Sequence, residues 1–198
     1  MNTIFNKHFL HYYFLNRDIK KYSRYLFGEV LDVGAGRKPY KKFFRHCQSY
    51  ESMDISGDHE YVSDICDNSV CSDAYDTIFC SQVLEHLPNH RFAVNEMMRI
   101  LRNGGSMVIT VPFSWEVHGA PNDYYRFTPY ALEQLLPGCV VKANGGQWAA
   151  IGQLQCNAVR GVFKGLIPFM NIFYFILDKL FYNDKFTLNY IAVWQKPL

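Results

Sequence analysis

The stretch Val30-Leu31-Asp32-Val33-Gly34-Ala35-Gly36 decides the fold of this chain. It opens with an apolar run that contains one carboxylate, which predicts a buried strand over residues 29–33. Gly34 and Gly36 follow at once and allow a tight turn in which the backbone can approach a ligand closely. A strand that enters such a turn is typical of sites for nucleotide-type cofactors.

The residues around the two glycines discriminate between candidate cofactors. A dinucleotide site takes the pattern Gly-x-Gly-x-x-Gly, in which the pyrophosphate rests on the start of a helix. This chain has Pro39 where the third glycine would stand. The carboxylate of Asp32 would also repel a pyrophosphate, whereas it suits the ammonium group of a methionine moiety. We therefore expect S-adenosylmethionine rather than NAD.

Length and charge agree with this expectation. The 198 residues are 49% apolar and 17% aromatic, which is enough for one globular domain with a core of ordinary size. The segment from Cys47 to His90 carries nine acids and no Lys or Arg. An acidic segment suits a cationic cofactor, so we expect it to build the cofactor pocket; a solvated acidic face is the alternative.

The cysteines and the apolar runs bear on the compartment. The six cysteines form no Cys-x-x-Cys pair, which argues against a zinc knuckle or a disulfide framework and predicts a cytoplasmic protein. The run from Leu166 to Phe181 is interrupted by polar residues and is shorter than the roughly 20 residues of a spanning helix, so we expect no transmembrane segment. Its wide apolar face predicts core or dimer contact, or peripheral contact with the inner membrane surface to reach a lipid-linked acceptor.

Strand and helix signals alternate from Gly28 onward, which is the pattern of an α/β protein. Residues 1–27 are expected to form an amphipathic helix over the sheet edge. The helix predicted after Asn89 is expected to end with a C-terminal cap at Asn103-Gly104-Gly105. Strands are predicted over 29–33, 50–54, 61–63, 75–80, 107–111, 140–142 and 187–195, and helices from Pro39 to about Cys47, after Asn89, from Thr128 through Leu136, and from about Trp148 to Lys164.

Two acids follow the next predicted strands. Asp54 ends the second strand, where a carboxylate can accept hydrogen bonds from both ribose hydroxyls. Asp64 ends the third strand within reach of an adenine amino group, and the amide of Ile65 can donate to a ring nitrogen. The alternative for both acids is a surface position at a strand end.

Together these residues resemble the class I S-adenosylmethionine-dependent methyltransferases, most closely small bacterial members with the general methyltransferase domain, over about residues 28–197. The resemblance implies a Rossmann-like three-layer α/β sandwich, with a mainly parallel seven-stranded sheet and an antiparallel last strand. One departure is Lys38, where many members have a third glycine. The stretches that carry the resemblance are 31–36, Asp54, 63–65, 79–87 and 100–105.

The resemblance also implies which residues bind the cofactor. The glycine turn would hold the methionine part, Asp54 the ribose, and the residues after the fourth strand would line the transferred methyl group. The implied cofactor-binding set is Asp32, Gly34, Ala35, Gly36, Asp54, Ile55, Asp64, Ile65, Cys80, Ser81 and Gln82.

Some relatives place a divalent ion near a Glu-His pair such as Glu85-His86. Consecutive residues on a helix point about 100 degrees apart, and no further ligand follows at suitable spacing, since His90 is expected to precede the next helix. We therefore expect a structural role for this pair and no metal.

The loop over residues 112–129 is the predicted substrate side, because ligands bind at the carboxyl ends of such strands. His118 can act as a general base oriented by Asp123. Trp115, Tyr124 and Arg126 are the expected substrate-binding residues. Alternatively, His118 and Arg126 tie the loop down through backbone carbonyls. A similar run occurs in a subgroup of the family associated with surface polysaccharide or other glycan biosynthesis.

These observations predict a methyltransferase acting on a small-molecule or glycan acceptor, at oxygen. The alternatives are a nicotinamide-dependent oxidoreductase and a cofactor-binding module without turnover. No nucleic-acid partner is expected, because the motifs of base methylation are missing. The expected organisation is an N-terminal helical extension over 1–27 and a methyltransferase domain over 28–198, which includes an apolar helical insertion at 148–182. The oligomeric state stays open.

Overall fold

A computed structural model describes residues 3–198. The strands are β1 (Glu29–Val33), β2 (Ser49–Asp54), β3 (Tyr61–Val62), β4 (Tyr75–Ser81), β5 (Leu101–Pro112), β6 (Val140–Asn144) and β7 (Asn189–Gln195). The α-helices are α1 (Phe9–Tyr22), α2 (His90–Ile100), α3 (Pro129–Leu135), α4 (Gln147–Ala158) and α5 (Ile167–Leu180). All seven predicted strands are confirmed, with ends that differ by a few residues except at the start of β5.

The seven strands form one sheet in the order β3-β2-β1-β4-β5-β7-β6. Strand β1 pairs in parallel with both β2 and β4, while β7 runs antiparallel to β5 and β6. This confirms the predicted mainly parallel sheet with an antiparallel last strand. The chain direction across the sheet reverses between β1 and β4, and a reversal of this kind opens a crevice at the carboxyl ends of the strands.

Strand β1 is buried on both faces, as an inner parallel strand should be. Val30 packs with residues of α1, whereas Leu31 and Val33 pack into the core on the opposite face. Because side chains alternate along a strand, Asp32 lies on the same face as Val30, the face that α1 covers.

Helix α1 lies over the edge strand β6, as expected, where Nδ2 of Asn144 donates to the carbonyl of Phe14 at 2.8 Å, and it also reaches the middle of the sheet. Leu15 and Ile19 share one cluster with Val30 of β1, Phe79 of β4 and residues of β5 and β7. Apolar residues recur along this helix at spacings of three and four, which gives a stripe that can cover several strands.

The predicted cap Asn103-Gly104-Gly105 is part of β5 instead, because α2 ends at Ile100. Leu101 pairs with Tyr75 and Ser106 pairs with Thr77, so the intervening residues form a bulge. Gly104 has a φ of +75° in this bulge.

The helix starts are closer to expectation. Asn89 is the N-cap of α2, although its side chain makes no capping hydrogen bond. The side chain of Thr128, the N-cap of α3, accepts a hydrogen bond of 3.2 Å from the Ala131 N–H.

The apolar C-terminal segment is longer than predicted. Helix α4 ends at Ala158, and a 3-10 turn over Gly161–Leu166 runs directly into α5. The resulting helical stretch, Gly161–Leu180, has 20 residues and is long and apolar enough to cross a membrane by length and composition alone. The expectation that this run is too short is therefore wrong. One side of α5 packs against α4, where Asn171 and Asp178 are buried.

Candidate active site

A cavity of about 960 Å³ opens at the carboxyl ends of β1 and β4. Three of its walls are the predicted ones: the glycine turn after β1, the end of β4, and the loop after β5. The fourth wall is α1 with the residues just before it, and no pattern in the sequence predicted this wall. The residues of this fourth wall are Asn6, Lys7, His8, His11, Tyr12 and Asn16.

The glycine turn is tightly packed on one side and open on the other. Gly34 has a φ of +69°, and a Cβ added there would lie 2.2 Å from Cγ2 of Val83. Gly36 has a φ of +52° and no atom within 4 Å of an added Cβ. Gly36 therefore faces space that a ligand can fill. Lys38 also has a positive φ of 55°, which explains why a glycine suits this position in relatives.

Asp32 provides a buried carboxyl group on the cavity wall. It is 2% exposed and accepts a hydrogen bond of 2.7 Å from the hydroxyl of Tyr50. Burial raises the pKa of Asp32 to about 7, because water no longer stabilises the charged form. A cationic ligand placed beside this carboxyl group would favour its ionised form.

The acidic segment contributes Ser81, Gln82 and His86 to the cavity wall, but its acids do not line the cavity, contrary to expectation. Within residues 3–198, none of the nine acids between Cys47 and His90 is among the lining residues. The acids on the wall are Asp32 and Glu116. The basic residues on the wall are Lys7, Arg37 and Lys42.

The expected cofactor residues divide into two groups. The first group lines the cavity and comprises Asp32, Gly34, Ala35, Gly36, Ser81 and Gln82. The second group lies outside the cavity lining and comprises Asp54, Ile55, Asp64, Ile65 and Cys80.

Asp54 connects the two groups. Its Oδ2 accepts a hydrogen bond of 2.8 Å from the N–H of Gly36, and its Oδ1 accepts one of 2.7 Å from the N–H of Ile55. Each oxygen keeps a lone pair that can accept from a ribose hydroxyl. Asp64 is exposed, whereas Ile65 and Cys80 are core residues. The open glycine turn, the buried carboxyl group and Asp54 fit S-adenosylmethionine.

Gln82 is strained at the end of β4. Its φ is +59°, which is uncommon for a residue other than glycine. Strand β5 holds it there, because the N–H of Gln82 donates to the carbonyl of Thr110 at 2.8 Å and Nε2 donates to Oγ1 of Thr110 at 3.1 Å. Strain that the surrounding structure enforces is typical of functional sites.

The structure brings three titratable side chains together beside this strand end, those of Glu85, His86 and His118. Glu85 is fully buried, and neither carboxyl oxygen has a hydrogen-bond partner among residues 3–198. The Nε2 atoms of His86 and His118 lie 3.8 and 3.9 Å from Oε1 of Glu85. Burial raises the pKa of Glu85 to about 8 and lowers that of His118. Glu85 was not predicted as a site residue.

Asp123 holds the loop after β5 in shape. Its Oδ2 accepts a hydrogen bond of 2.9 Å from the backbone N–H of His118 and lies 3.2 Å from Nδ1 of the same residue. Arg126 donates to both carboxyl oxygens of Asp123, at 2.7 and 2.8 Å. The Arg126 guanidinium holds the pKa of Asp123 well below its usual range.

The three expected substrate residues have different positions. Trp115 lines the cavity, with its ring centroid 5.6 Å from that of His8 and 4.5 Å from that of His11. Arg126 donates to backbone carbonyls as well as to Asp123, so it anchors the loop and is not among the lining residues. Tyr124 is also outside the lining, and its hydroxyl donates to Asn122. For Arg126 the structure therefore supports the alternative of a loop anchor.

Comparisons with known proteins agree on the family. The sequence profile described as "Methyltransferase domain" matches residues 7–139. No protein with a curated description matches the chain in sequence.

Solved structures with the same fold share little sequence with this chain. A SAM-dependent methyltransferase from Archaeoglobus fulgidus is 17% identical with a TM-score of 0.60, and the match covers 92% of this chain and 93% of that chain. The [4+2]-cyclase SpnF is 15% identical with a TM-score of 0.62, over 93% and 81% of the two chains. Phosphoethanolamine N-methyltransferase 2 of Haemonchus contortus, in complex with S-adenosyl-L-methionine, is 13% identical with a TM-score of 0.62, over 92% and 53%.

At these identities the structural likeness establishes the fold. The family profile goes further, because it spans the glycine turn, β1 to β5 and the first three α-helices. It decides against the nicotinamide-dependent alternative. The chain belongs to the methyltransferase domain family and is an enzyme that uses S-adenosylmethionine.

Proposed function

We propose that this protein transfers the methyl group of S-adenosylmethionine to an oxygen atom of a small-molecule or glycan acceptor. The observation that carries the proposal is the cluster of Glu85, His86 and His118 beside Gln82. A hydroxyl group must lose its proton to become a good nucleophile, whereas a neutral amine already has a free electron pair. A neutral imidazole such as that of His118 at this strand end suits a hydroxyl acceptor, because it can accept the proton.

In this proposal His118 receives the proton of the acceptor. Its Nδ1 faces Asp123, which leaves Nε2 for the acceptor hydroxyl. The lowered pKa of His118 keeps the ring neutral at pH 7, so it can accept a proton. S-adenosylmethionine supplies the methyl group on a positively charged sulfur, which keeps the electron pair of the broken bond. The acceptor oxygen forms the new bond to carbon, and alignment of the groups supplies much of the rate gain.

The cavity wall favours an acceptor that carries negative charge. Lys7, Arg37 and Lys42 outnumber Asp32 and Glu116 among the charged lining residues, and Asp32 is assigned to the cofactor. Basic side chains near a binding site attract anionic ligands and raise their local concentration. A phosphorylated or carboxylated sugar fits this wall better than a neutral one.

The release of S-adenosylhomocysteine tests the proposal against a panel of anionic sugars, neutral sugars, phenols, amines and RNA. We expect turnover with an anionic hydroxyl acceptor, and a His118→Ala loss of at least about 100-fold in kcat with cofactor affinity unchanged. Turnover confined to amines, with no dependence on His118, would refute methylation at oxygen. Cofactor binding without turnover on any acceptor would favour a binding module.

The proposed location is the cytoplasm, with α5 resting on the inner membrane surface. The six free cysteines suit a reducing compartment. Helix α5 has polar residues on its buried side and apolar residues on its exposed side. Asn171 and Asp178 are 0% and 2% exposed, whereas Phe169 and Phe173 are 72% and 55% exposed. We call the outward stripe the apolar face; it comprises Val162, Leu166, Phe169, Phe173, Ile176 and Leu180.

The charges around the apolar face favour an anionic lipid surface as its occupant. From residue 159 to residue 186 the exposed charged residues are Arg160, Lys164, Lys179, Asp184 and Lys185, of which only Asp184 is acidic. An apolar stripe flanked by Lys and Arg is the arrangement of helices that lie in a membrane interface.

The same helix supports the cavity rim. The side-chain amide of Asn171 donates to the carbonyls of Ile4 and Asn6, at 2.7 and 3.0 Å. Asn6 and Lys7 line the cavity. A membrane-bound α5 would therefore hold the rim near an acceptor that is anchored in lipid.

A further inference from the structure

We propose that Glu85, His86 and His118 bind one divalent transition-metal ion at the part of the cavity wall that the two histidines line. The three side chains each offer one ligand atom, and these atoms all lie within 4.8 Å of one another. Ligand atoms that are each about 2.1 Å from one ion stand roughly 3 to 4 Å apart. The two distances from Glu85 to the imidazoles, 3.8 and 3.9 Å, already fall in that range.

The buried carboxyl group of Glu85 is the second observation. It is 0% exposed, and both of its oxygens lack a hydrogen-bond partner among residues 3–198. Burial of a carboxyl group without a partner costs free energy, because the group loses its hydrogen bonds to water and makes none to the protein in their place. A bound cation between Glu85 and the two imidazoles would remove that cost.

The outer nitrogens of both imidazoles are held in the way that metal ligands require. Nδ1 of His86 contacts the carbonyl of Asn122, and Nδ1 of His118 lies 3.2 Å from the carbonyl of Glu116. A carbonyl oxygen only accepts, so each Nδ1 must carry the proton and each Nε2 has a free electron pair. Histidine ligands of metals are oriented by such outer contacts.

The rings are also confined sterically. A Cβ added to Gly119, which has a φ of +63°, would lie 3.2 Å from Cε1 of His86. The backbone N–H groups of Tyr124 and Tyr125 donate to the carbonyl of Glu85, at 2.8 and 3.3 Å. The loop after β5 is thus fastened directly onto the segment that carries Glu85 and His86.

The donor set indicates the class of ion. Two imidazole nitrogens and one carboxylate oxygen suit Mn²⁺, Fe²⁺ or Zn²⁺, whereas Mg²⁺ and Ca²⁺ prefer oxygen ligands throughout. Three protein ligands leave coordination positions for an acceptor oxygen. The expectation of no metal considered only ligands near Glu85-His86 in sequence, and the fold adds His118 from a different loop.

The role of the ion rests on the proposed function, although its binding does not. An ion at this site would lower the pKa of a bound hydroxyl group, so that the proton leaves to solvent. His118 would then be a ligand, and it would act as a base only in the ion-free protein.

Mn²⁺ is the probe of choice, because it prefers nitrogen and oxygen ligands to the thiols of the six cysteines. Protein dialysed against EDTA is titrated with Mn²⁺, and the free ion is measured by electron paramagnetic resonance. We expect one equivalent to bind, with affinity at least about tenfold weaker in Glu85→Gln and in His118→Ala. His59→Ala is the matched control, since His59 contacts Ser52 outside the cavity. Thermal unfolding verifies that each variant is folded.

The outcomes separate this proposal from the proposed function. The absence of stoichiometric Mn²⁺ binding, or equal binding by wild type and Glu85→Gln, would overturn the metal site. Methyl transfer by the EDTA-treated protein would then still support the proposed function. Conversely, one bound Mn²⁺ that is lost in Glu85→Gln would establish the site even if no acceptor were methylated.

Discussion

The hydroxyl of Tyr50 in β2 donates a hydrogen bond of 2.7 Å to Oδ2 of Asp32 in β1, which links the first two strands through the buried carboxyl group. Burial raises the pKa of Asp32 to about 7, and the bond from Tyr50 opposes this shift by favouring the charged form. The ionised form is the one that can bind a cationic ammonium group. We therefore expect cofactor binding to be linked to the titration of Asp32 near neutral pH.

This linkage predicts a pH-dependent cofactor affinity. As the pH falls through about 7, Asp32 becomes protonated in the free protein and must lose that proton to bind, so affinity falls by up to about tenfold per pH unit. Calorimetric titration with S-adenosylhomocysteine between pH 5.5 and 8.5 measures the effect. In Tyr50→Phe the midpoint should move to higher pH, because the charged form has lost a hydrogen bond. If Asp32→Asn keeps the wild-type pH dependence, the assignment is wrong.

The two glycines of the turn should respond differently to alanine. Gly34→Ala combines a positive φ with an overlap against Val83, so we expect a loss of about 2 to 4 kcal/mol in unfolding free energy and weak cofactor binding. Gly36→Ala has the strained φ but open space, and about 1 kcal/mol is expected. Urea unfolding of both variants without ligand gives the comparison. Equal losses would show that the contact with Val83 does not matter.

Local signals in the sequence predict the parts of the fold that depend on local physics. The run from Val30 to Gly36 specifies a strand and a turn by itself, and Thr128-Pro129 specifies a helix start. The bulge at Gly104 was mistaken for a helix cap, because a glycine with positive φ serves both purposes.

The site depends more on contacts between distant segments. The walls from α1 and the meeting of Glu85 with His118 arise only once α1 crosses the sheet and the loop after β5 folds back. No spacing along the chain encodes those contacts. Arg126 illustrates the same point, since a charged residue in a functional loop can serve either a ligand or the loop itself, and here its guanidinium is bound by Asp123.

The pair of Asp123 and Arg126 should behave as one unit. The Asp123 side chain is 1% exposed, so removal of Arg126 leaves a buried carboxylate without its cation. Removal of Asp123 leaves a guanidinium that is only 24% exposed without its carboxylate. Arg126→Gln and Asp123→Asn are each expected to cost about 3 kcal/mol in unfolding free energy, and the double variant much less than the sum. Cofactor affinity should change little, because neither residue lines the cavity. Additive losses in a double-mutant cycle would contradict the coupling.

His11 should make the folded state sensitive to mild acid. Its side chain is buried, and burial lowers its pKa to about 3 from an ordinary value of 6.5. A depressed pKa contributes stability that is present above pH 6.5 and is lost as the pH falls, because the unfolded chain binds a proton that the folded chain does not.

The expected loss due to His11 between pH 7.5 and 5.5 is about 1.4 kcal/mol. Urea unfolding of the cofactor-free protein at both pH values measures it. Groups other than His11 with shifted pKa values also contribute to the pH dependence of the wild type; they include Asp32, Glu85, His8, His90 and His118. The difference between wild type and His11→Gln isolates the His11 contribution, and an identical pH response in the two proteins would refute it.

The apolar face of α5 should bind anionic vesicles. We expect the protein to float with vesicles that contain phosphatidylglycerol at low salt, and to bind less to neutral vesicles or at high salt, because its flanking charges are mostly basic. Phe169→Ser with Phe173→Ser should abolish flotation, since both rings are exposed on that face. Tyr130→Ser is the control, because Tyr130 is 82% exposed on a different element, α3.

The lysines beside the apolar face give a second, independent readout. Lys164→Ser and Lys179→Ser should each weaken binding to anionic vesicles by about 1 kcal/mol, with little change on neutral ones. Sedimentation velocity without vesicles tests the competing occupant of the apolar face, which is a second copy of the chain. If the wild type forms a dimer that the Phe169→Ser and Phe173→Ser pair disrupts, and neither protein floats, then a second copy of the chain covers this face and the membrane proposal is refuted.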